Sequence, residues 1–107
     1  MSIVLGIDPG SRVAGFGLVE VDFQQERHID HGVIRLTAKA DLPQRLHEFY
    51  QAMNKIIETY RPEHLAVEDV FLGKNPRSAF VLGHVRGVCL ERGFAHKLKV
   101  SEYSARQ

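Results

Sequence analysis

The 107 residues predict an α/β domain of the α+β kind, a mixed sheet flanked by helices, and three observations carry that reading. Residues 2–36 hold three apolar stretches with strand character joined by short polar bends, the pattern of an antiparallel meander. From residue 42 the apolar spacing changes to steps of three and four, the period of a helix. A short apolar stretch at 64–68 then follows, and a strand–helix–strand crossover makes it parallel to an earlier strand.

Each element has its own signal. Residues 2–8 run apolar and end at the turn formed by Pro9 and Gly10. Residues 13–21 form a second strand, with Gly15 and Gly17 on one face, where a ligand or another backbone could come close. A third strand covers 27–36. Leu42, Leu46, Phe49, Met53, Ile56 or Ile57 and Tyr60 draw the apolar stripe of a helix, with Asp41 as its cap, Pro43 in its first turn and Arg61–Pro62 as its stop. Asn75 and Pro76 suit the N-cap and first position of a second helix over about 76–92. Its apolar residues, from Ala79 to Leu90, occupy more than one face, so this helix is either well buried or meets a second partner such as another copy of the chain. Gly83 and Gly87 would let a second backbone approach. Residues 98–103 read as a last strand. Ser104–Gln107 reads as the beginning of a helix without a cap, so the chain is expected to be part of a longer protein.

Composition sets the bounds. A hydrophobic content of 44% supports a core for one small domain, taken as residues 1–107. No stretch is apolar for long enough to cross a membrane, and the start lacks the basic region of a secretory signal. A single cysteine, Cys89, cannot form an internal disulfide, which fits a reducing, cytoplasmic setting. The net charge of +1 hides an asymmetry: residues 1–70 carry 7 basic against 11 acidic side chains, and residues 71–107 carry 7 against 2. The basic second half could follow a phosphate backbone, or be an ordinary solvated surface.

The chemistry centres on two acids. Asp8 and Glu68 each end an apolar strand, and an acid at that position costs stability unless it binds something. On neighbouring strands they would lie roughly 5 Å apart, close enough to share a hard divalent cation. Strand parity puts Asp8 on the face of Val4 and Gly6, and Glu68 on the face of Ala66, so small neighbours leave room for a metal and a phosphate. Asp69 has the opposite parity and should point away unless the strand ends at Glu68. Two ordinary surface acids are the alternative. Such a pair, with Mg²⁺, could activate water against a phosphodiester. Two ions need more oxygen ligands than two carboxylates offer, and neither Glu91 nor Glu102 is well placed to add one.

Ser11 and Arg12 can meet a phosphate just beyond the turn at Gly10, and Lys74 and Asn75 can hold another at the start of the second helix. Phe71 either stacks on an unpaired base or packs in the core. The six histidines show no metal-binding spacing, and Cys89 reads as core.

Taken in order, Leu5–Arg12, Val67–Phe71, Lys74–Asn75, Ser78–Ala79, Leu82–Gly83, Arg86–Gly87 and Glu102–Gln107 closely resemble the RuvC family of Holliday junction resolvases, across essentially the whole chain. The resemblance implies an RNase H-like fold with a five-stranded mixed sheet. It further implies a homodimer that nicks opposed strands of a four-way DNA junction with Mg²⁺ or Mn²⁺, two ions per subunit, in recombination and repair. Asp8 and Glu68 match the first two catalytic metal ligands, and Phe71 matches the aromatic residue used at the junction crossover. The helix after Asn75 corresponds to the dimer helix, and a RuvA–RuvB branch-migration complex is the implied partner. The family's two later metal ligands have no counterpart here, so this piece is expected to be inactive alone. Three alternatives stand beside it: an RNase H-like nuclease acting on RNA, similar to the YqgF group; a nucleotide-binding module of the actin and sugar-kinase type; and a non-catalytic junction-binding or dimerisation fragment.

Overall fold

The computed structural model describes residues 2–69 and 75–104. Its element order is β1 (Ser2–Asp8), β2 (Val13–Val21), β3 (Glu26–Arg35), α1 (Leu42–Tyr60), β4 (His64–Glu68), α2 (Pro76–Ala95) and β5 (Lys99–Tyr103). The strands form one mixed sheet in the order β3-β2-β1-β4-β5. The meander β1–β2–β3 is antiparallel, whereas β4 lies parallel to β1 and β5 parallel to β4. The expected five-stranded mixed sheet is therefore present. Its third strand starts one residue earlier than the sequence suggests, and α2 runs three residues longer.

The helix ends follow from local chemistry. Asp41 Oδ1 accepts from Gln44 N, which satisfies one of the free amides of the first turn of α1. Arg61 stops that helix with a left-handed φ of 48°, its N–H still donating to Ile57 O, and Pro62 follows. At α2, Asn75 Oδ1 accepts from both Arg77 N and Ser78 N.

Alternation along the strands divides the sheet into two unlike faces. Leu5 and Ile7 of β1, Ala14 and Leu18 of β2, and Leu65 and Val67 of β4 are fully buried. They pack with Phe49 and Met53 of α1 and with Val85 and Cys89 of α2 in one core. Cys89 is closed off from reaction, its thiol pushed up to about 12 by burial. On the opposite face lie Val4, Gly6 and Asp8, flanked by Gly15 and Gly17 of β2. No described element packs on this face, and Val33 at its edge is 51% exposed.

α2 sits close on the sheet because Gly93 lets it. A Cβ built at Gly93 would lie 2.5 Å from Leu65 Cδ2 and 3.0 Å from Val100 Cγ2. Leu65 is fully buried and has nowhere to swing. Gly93→Ala is therefore expected to destabilise the fold by about 1–3 kcal/mol through overpacking, despite alanine's better helix propensity. A lowered urea midpoint with an unchanged slope is the measurement that checks it.

Candidate active site

The register of β1 against β4 builds the site. Gly6 pairs with Ala66 and Ile7 with Val67, so the next residues along, Asp8 and Glu68, emerge side by side from the two central strands. Gly15 stands across from Asp8 on β2, and Tyr103 across from Glu68 on β5. A shallow concavity of about 440 Å³ opens over this floor, bordered by Val4, Gly6, Asp8, Gly17 and Tyr103. A Cβ at Gly17 would meet nothing within 4 Å, and one at Gly15 only Asp8 Cβ at 4.0 Å. The glycines thus keep the ground beside the acids flat.

The acids are close enough to share a proton. The Glu68 carboxyl is held above its ordinary value of 4.5, first by its hydrogen bond to Asp8, then by partial burial and by the Asp8 charge. Tyr103 is also pushed up, first by burial and then by the charges of Glu68 and Asp8. Adjacent carboxylates on an open, glycine-floored face suit a hard cation. Mg²⁺ is commonly bound by one or two carboxylates, with waters and substrate phosphates filling the rest of its shell. Among the described residues no third His, Cys, Asp or Glu joins the two into a larger metal-binding group.

Asp69 does turn away. Its carboxylate accepts from Arg86 Nη2 at 3.1 Å, and the same nitrogen reaches Glu102 Oε1 at 2.5 Å. Asp69 N also donates to Tyr103 O. Arg86 of α2 thus pins the ends of β4 and β5 from behind the sheet, next to Glu68, and takes Glu102 out of reach of the acid pair. Sequence reasoning assigns Arg86 no role in the site. A lone arginine in a helix gives no signal for a contact 17 residues away on another element.

The remaining sequence candidates fall into two groups. Ser11, Arg12 and Asn75 line a second, smaller concavity together with Arg45, Arg77 and Ser78. Phe71 and Lys74 lie outside the described residues. A third feature, an apolar concavity of about 670 Å³, lies on the outer side of α2 among Leu46, Phe80, Gly83, His84, Gly87 and Val88, with Phe80 60% exposed.

The sign of the acid-pair effect on stability follows from the raised Glu68. The folded chain holds this proton more tightly than the unfolded chain. The contribution is full below pH 4.5 and is lost as pH rises through the higher folded value. Above that, the Glu68 carboxylate lies against Asp8 on an open, solvated face. Glu68→Gln is accordingly expected to raise the thermal midpoint of the metal-free chain at pH 7 and to leave it near wild type below pH 4, as a thermal-melt series across pH would register.

Comparison with known proteins agrees with this geometry. The family model described as crossover junction endodeoxyribonuclease RuvC matches residues 4–107. The RuvC of Legionella pneumophila (strain Corby) is 42% identical over the whole of this chain, which spans 62% of that relative's length. Among solved structures, Thermus thermophilus RuvC in complex with a Holliday junction substrate superposes with a TM-score of 0.87 at 24% identity, over 99% of this chain and 66% of that one. The yeast mitochondrial Holliday junction resolvase gives 0.75 at 14% identity, over 96% of this chain and 53% of its own. Those two likenesses speak for the RNase H-like resolvase fold. The family match and the identity to curated relatives settle the lineage: the chain belongs to the crossover junction endodeoxyribonuclease RuvC family.

Proposed function

We propose that the full-length protein containing this chain is a structure-selective endonuclease that resolves four-way DNA junctions by symmetric, metal-dependent hydrolysis of phosphodiester bonds. The observation that carries the reading is the Asp8–Glu68 pair, two carboxylates in hydrogen-bonding contact at the ends of adjacent parallel strands, in a chain of the RuvC family.

In this reading Asp8 and Glu68 hold Mg²⁺ or Mn²⁺, two ions per subunit, with the remaining ligands coming from outside this chain. Bound metal would supply positive charge at the attacked phosphate and a more acidic water. The chain's own contribution is placement. The pairing of β1 with β4 fixes the spacing of the acids, and the glycine floor admits the phosphate from the open side. Arg86 keeps Asp69 and Glu102 from competing for the cation. Ser11, Arg12, Lys74 and Asn75 contact the DNA backbone near the acids, and Phe71 stacks on a base at the crossover. A second copy docks along Gly83 and Gly87, where a Cβ would meet nothing within 4 Å, giving a homodimer with two sites for two opposed nicks. The 107-residue piece is inactive by itself, and the RuvA–RuvB motor delivers the junction to the whole enzyme in the cytoplasm. None of the described helices is long and apolar enough to cross a membrane.

In the full-length protein, Glu68→Gln should cut Mg²⁺-dependent nicking of a synthetic four-way junction by about 10³-fold or more while junction binding persists, as removal of a metal ligand costs several kcal/mol of transition-state stabilisation. Substantial cleavage by the variant would remove Glu68 from catalysis. Phe71→Ala should slow junction cleavage more than it weakens binding to linear duplex, which parallel gel-shift and nicking assays would resolve. An equal loss on both substrates would mark Phe71 as a packing residue.

A further inference from the structure

A concavity where the turn after β1 meets the starts of α1 and α2 gathers three arginines. Arg12 comes from the turn after β1, Arg45 from the first turns of α1, and Arg77 from the first turn of α2; with Ser11, Asn75 and Ser78 they border a space of about 140 Å³. Among the described residues none of the three arginines has a carboxylate within ion-pair distance, whereas Arg27 and Arg92 each have one and Arg86 has two. Glu48, whose charge Arg45 also feels, is itself held by Thr37 N, Thr37 Oγ1 and Gln44 Nε2, and its carboxyl lies low for that reason. Arg45 is also held in place, with Nε donating to Thr37 O at 3.2 Å and Nη2 to Ala38 O. One edge of the guanidinium is tied to the loop before α1, and the rest is left for another acceptor.

We infer that this concavity is a binding site for one backbone phosphate of the DNA strand that passes over Asp8 and Glu68. Three guanidiniums lining one hollow repel each other, and a phosphodiester bridging them removes that cost while receiving forked hydrogen bonds. Side chains rather than helix amides do the binding, because Asn75 Oδ1 already takes the amides of Arg77 and Ser78. Ser11 is three residues from Asp8, at most about 11 Å of chain, so a strand lying on the acid pair reaches the hollow within a few nucleotides. Arg45 and Arg77 are the new members: one anchored, one free to close over the phosphate. The inference rests on the DNA-cleaving reading and assigns it a fixed register point a few nucleotides from the acid pair.

The test uses full-length protein in a Glu68→Gln background, with anisotropy measured on four-way junctions that carry one neutral methylphosphonate at a time. The parent should lose several-fold in affinity at one or two adjacent positions, and those positions should fall silent in Arg45→Ala/Arg77→Ala. The slope of log K against log salt should become shallower by about 0.9, the change expected when one phosphate fewer is neutralised. Arg77→Ala alone, on an exposed turn, carries the same test should Arg45→Ala disturb the loop, and a melt of each variant reports that. An identical methylphosphonate profile in parent and variants, or an unchanged slope, overturns the site. So does a stabilisation of the parent by inorganic phosphate without any methylphosphonate signature, which would assign the hollow to a free anion. Equal affinity of the parent for junction and linear duplex would sink the resolvase reading instead, and the methylphosphonate comparison on duplex would still decide the hollow.

Discussion

Parallel pairing between β1 and β4 is the constraint on which the candidate site depends. These strands are far apart in sequence and are brought together by α1, which leaves the meander and packs on the sheet so that β4 returns beside β1. The apolar residues decide the register. Leu5 and Ile7 must face the helices, and so must Leu65 and Val67. A slip of one residue would turn Leu65 and Val67 toward the open face and carry Glu68 to the wrong side. The hydrophobic core therefore positions the acids, and it does so through side chains that never touch them.

The two faces of the sheet then divide the work by charge. On the open face the acids meet each other among glycines, with no ion pair to either among the described residues. Behind the sheet the neighbouring acids, Asp69 and Glu102, converge on Arg86. Arg86 is largely covered, and its Nε has no partner among the described residues. An arginine in that position, satisfied at one nitrogen and short of a partner at another, is held there by the two carboxylates it joins. Strand parity makes this sorting possible: acids adjacent in sequence, Glu68 and Asp69, are assigned to opposite sides of a sheet only a backbone thick.

This parity is why so much of the fold and the pairing of the acids is legible in the sequence. Period-two alternation alone places Asp8 with Gly6 and Glu68 with Ala66, and the crossover argument makes their strands parallel. Caps are equally readable, since Asp41 and Asn75 act on amides two or three residues away. Contacts between distant elements are not. Arg86 to Glu102 joins a helix to a strand edge, and Arg45 meets Arg12 and Arg77 only because three element ends converge. The bulge in β3 opposite Leu18 and Val19 is another case. It turns His28 and His31, three apart and unpromising by spacing, toward each other at 2.9 Å.

From its sequence α2 is ambiguous, with apolar residues on more than one side, and the structure gives each side a different occupant. Val85, Cys89 and Gly93, four apart, form the buried stripe against the sheet. Arg86, one step around, reaches back to the strand ends beside Glu68. Phe80, Gly83, His84 and Gly87 form the outer side, where the apolar groove lies. Gly93 explains how one helix carries all three: the missing Cβ brings its C-terminal half down onto Leu65 and Val100, and that depth brings Arg86 within reach of Asp69 and Glu102. A helix held one side chain further from the sheet would keep its caps and its outer groove but lose the clamp behind the acid pair. The close packing of α2 is thus a condition for the geometry of the site as well as a source of stability.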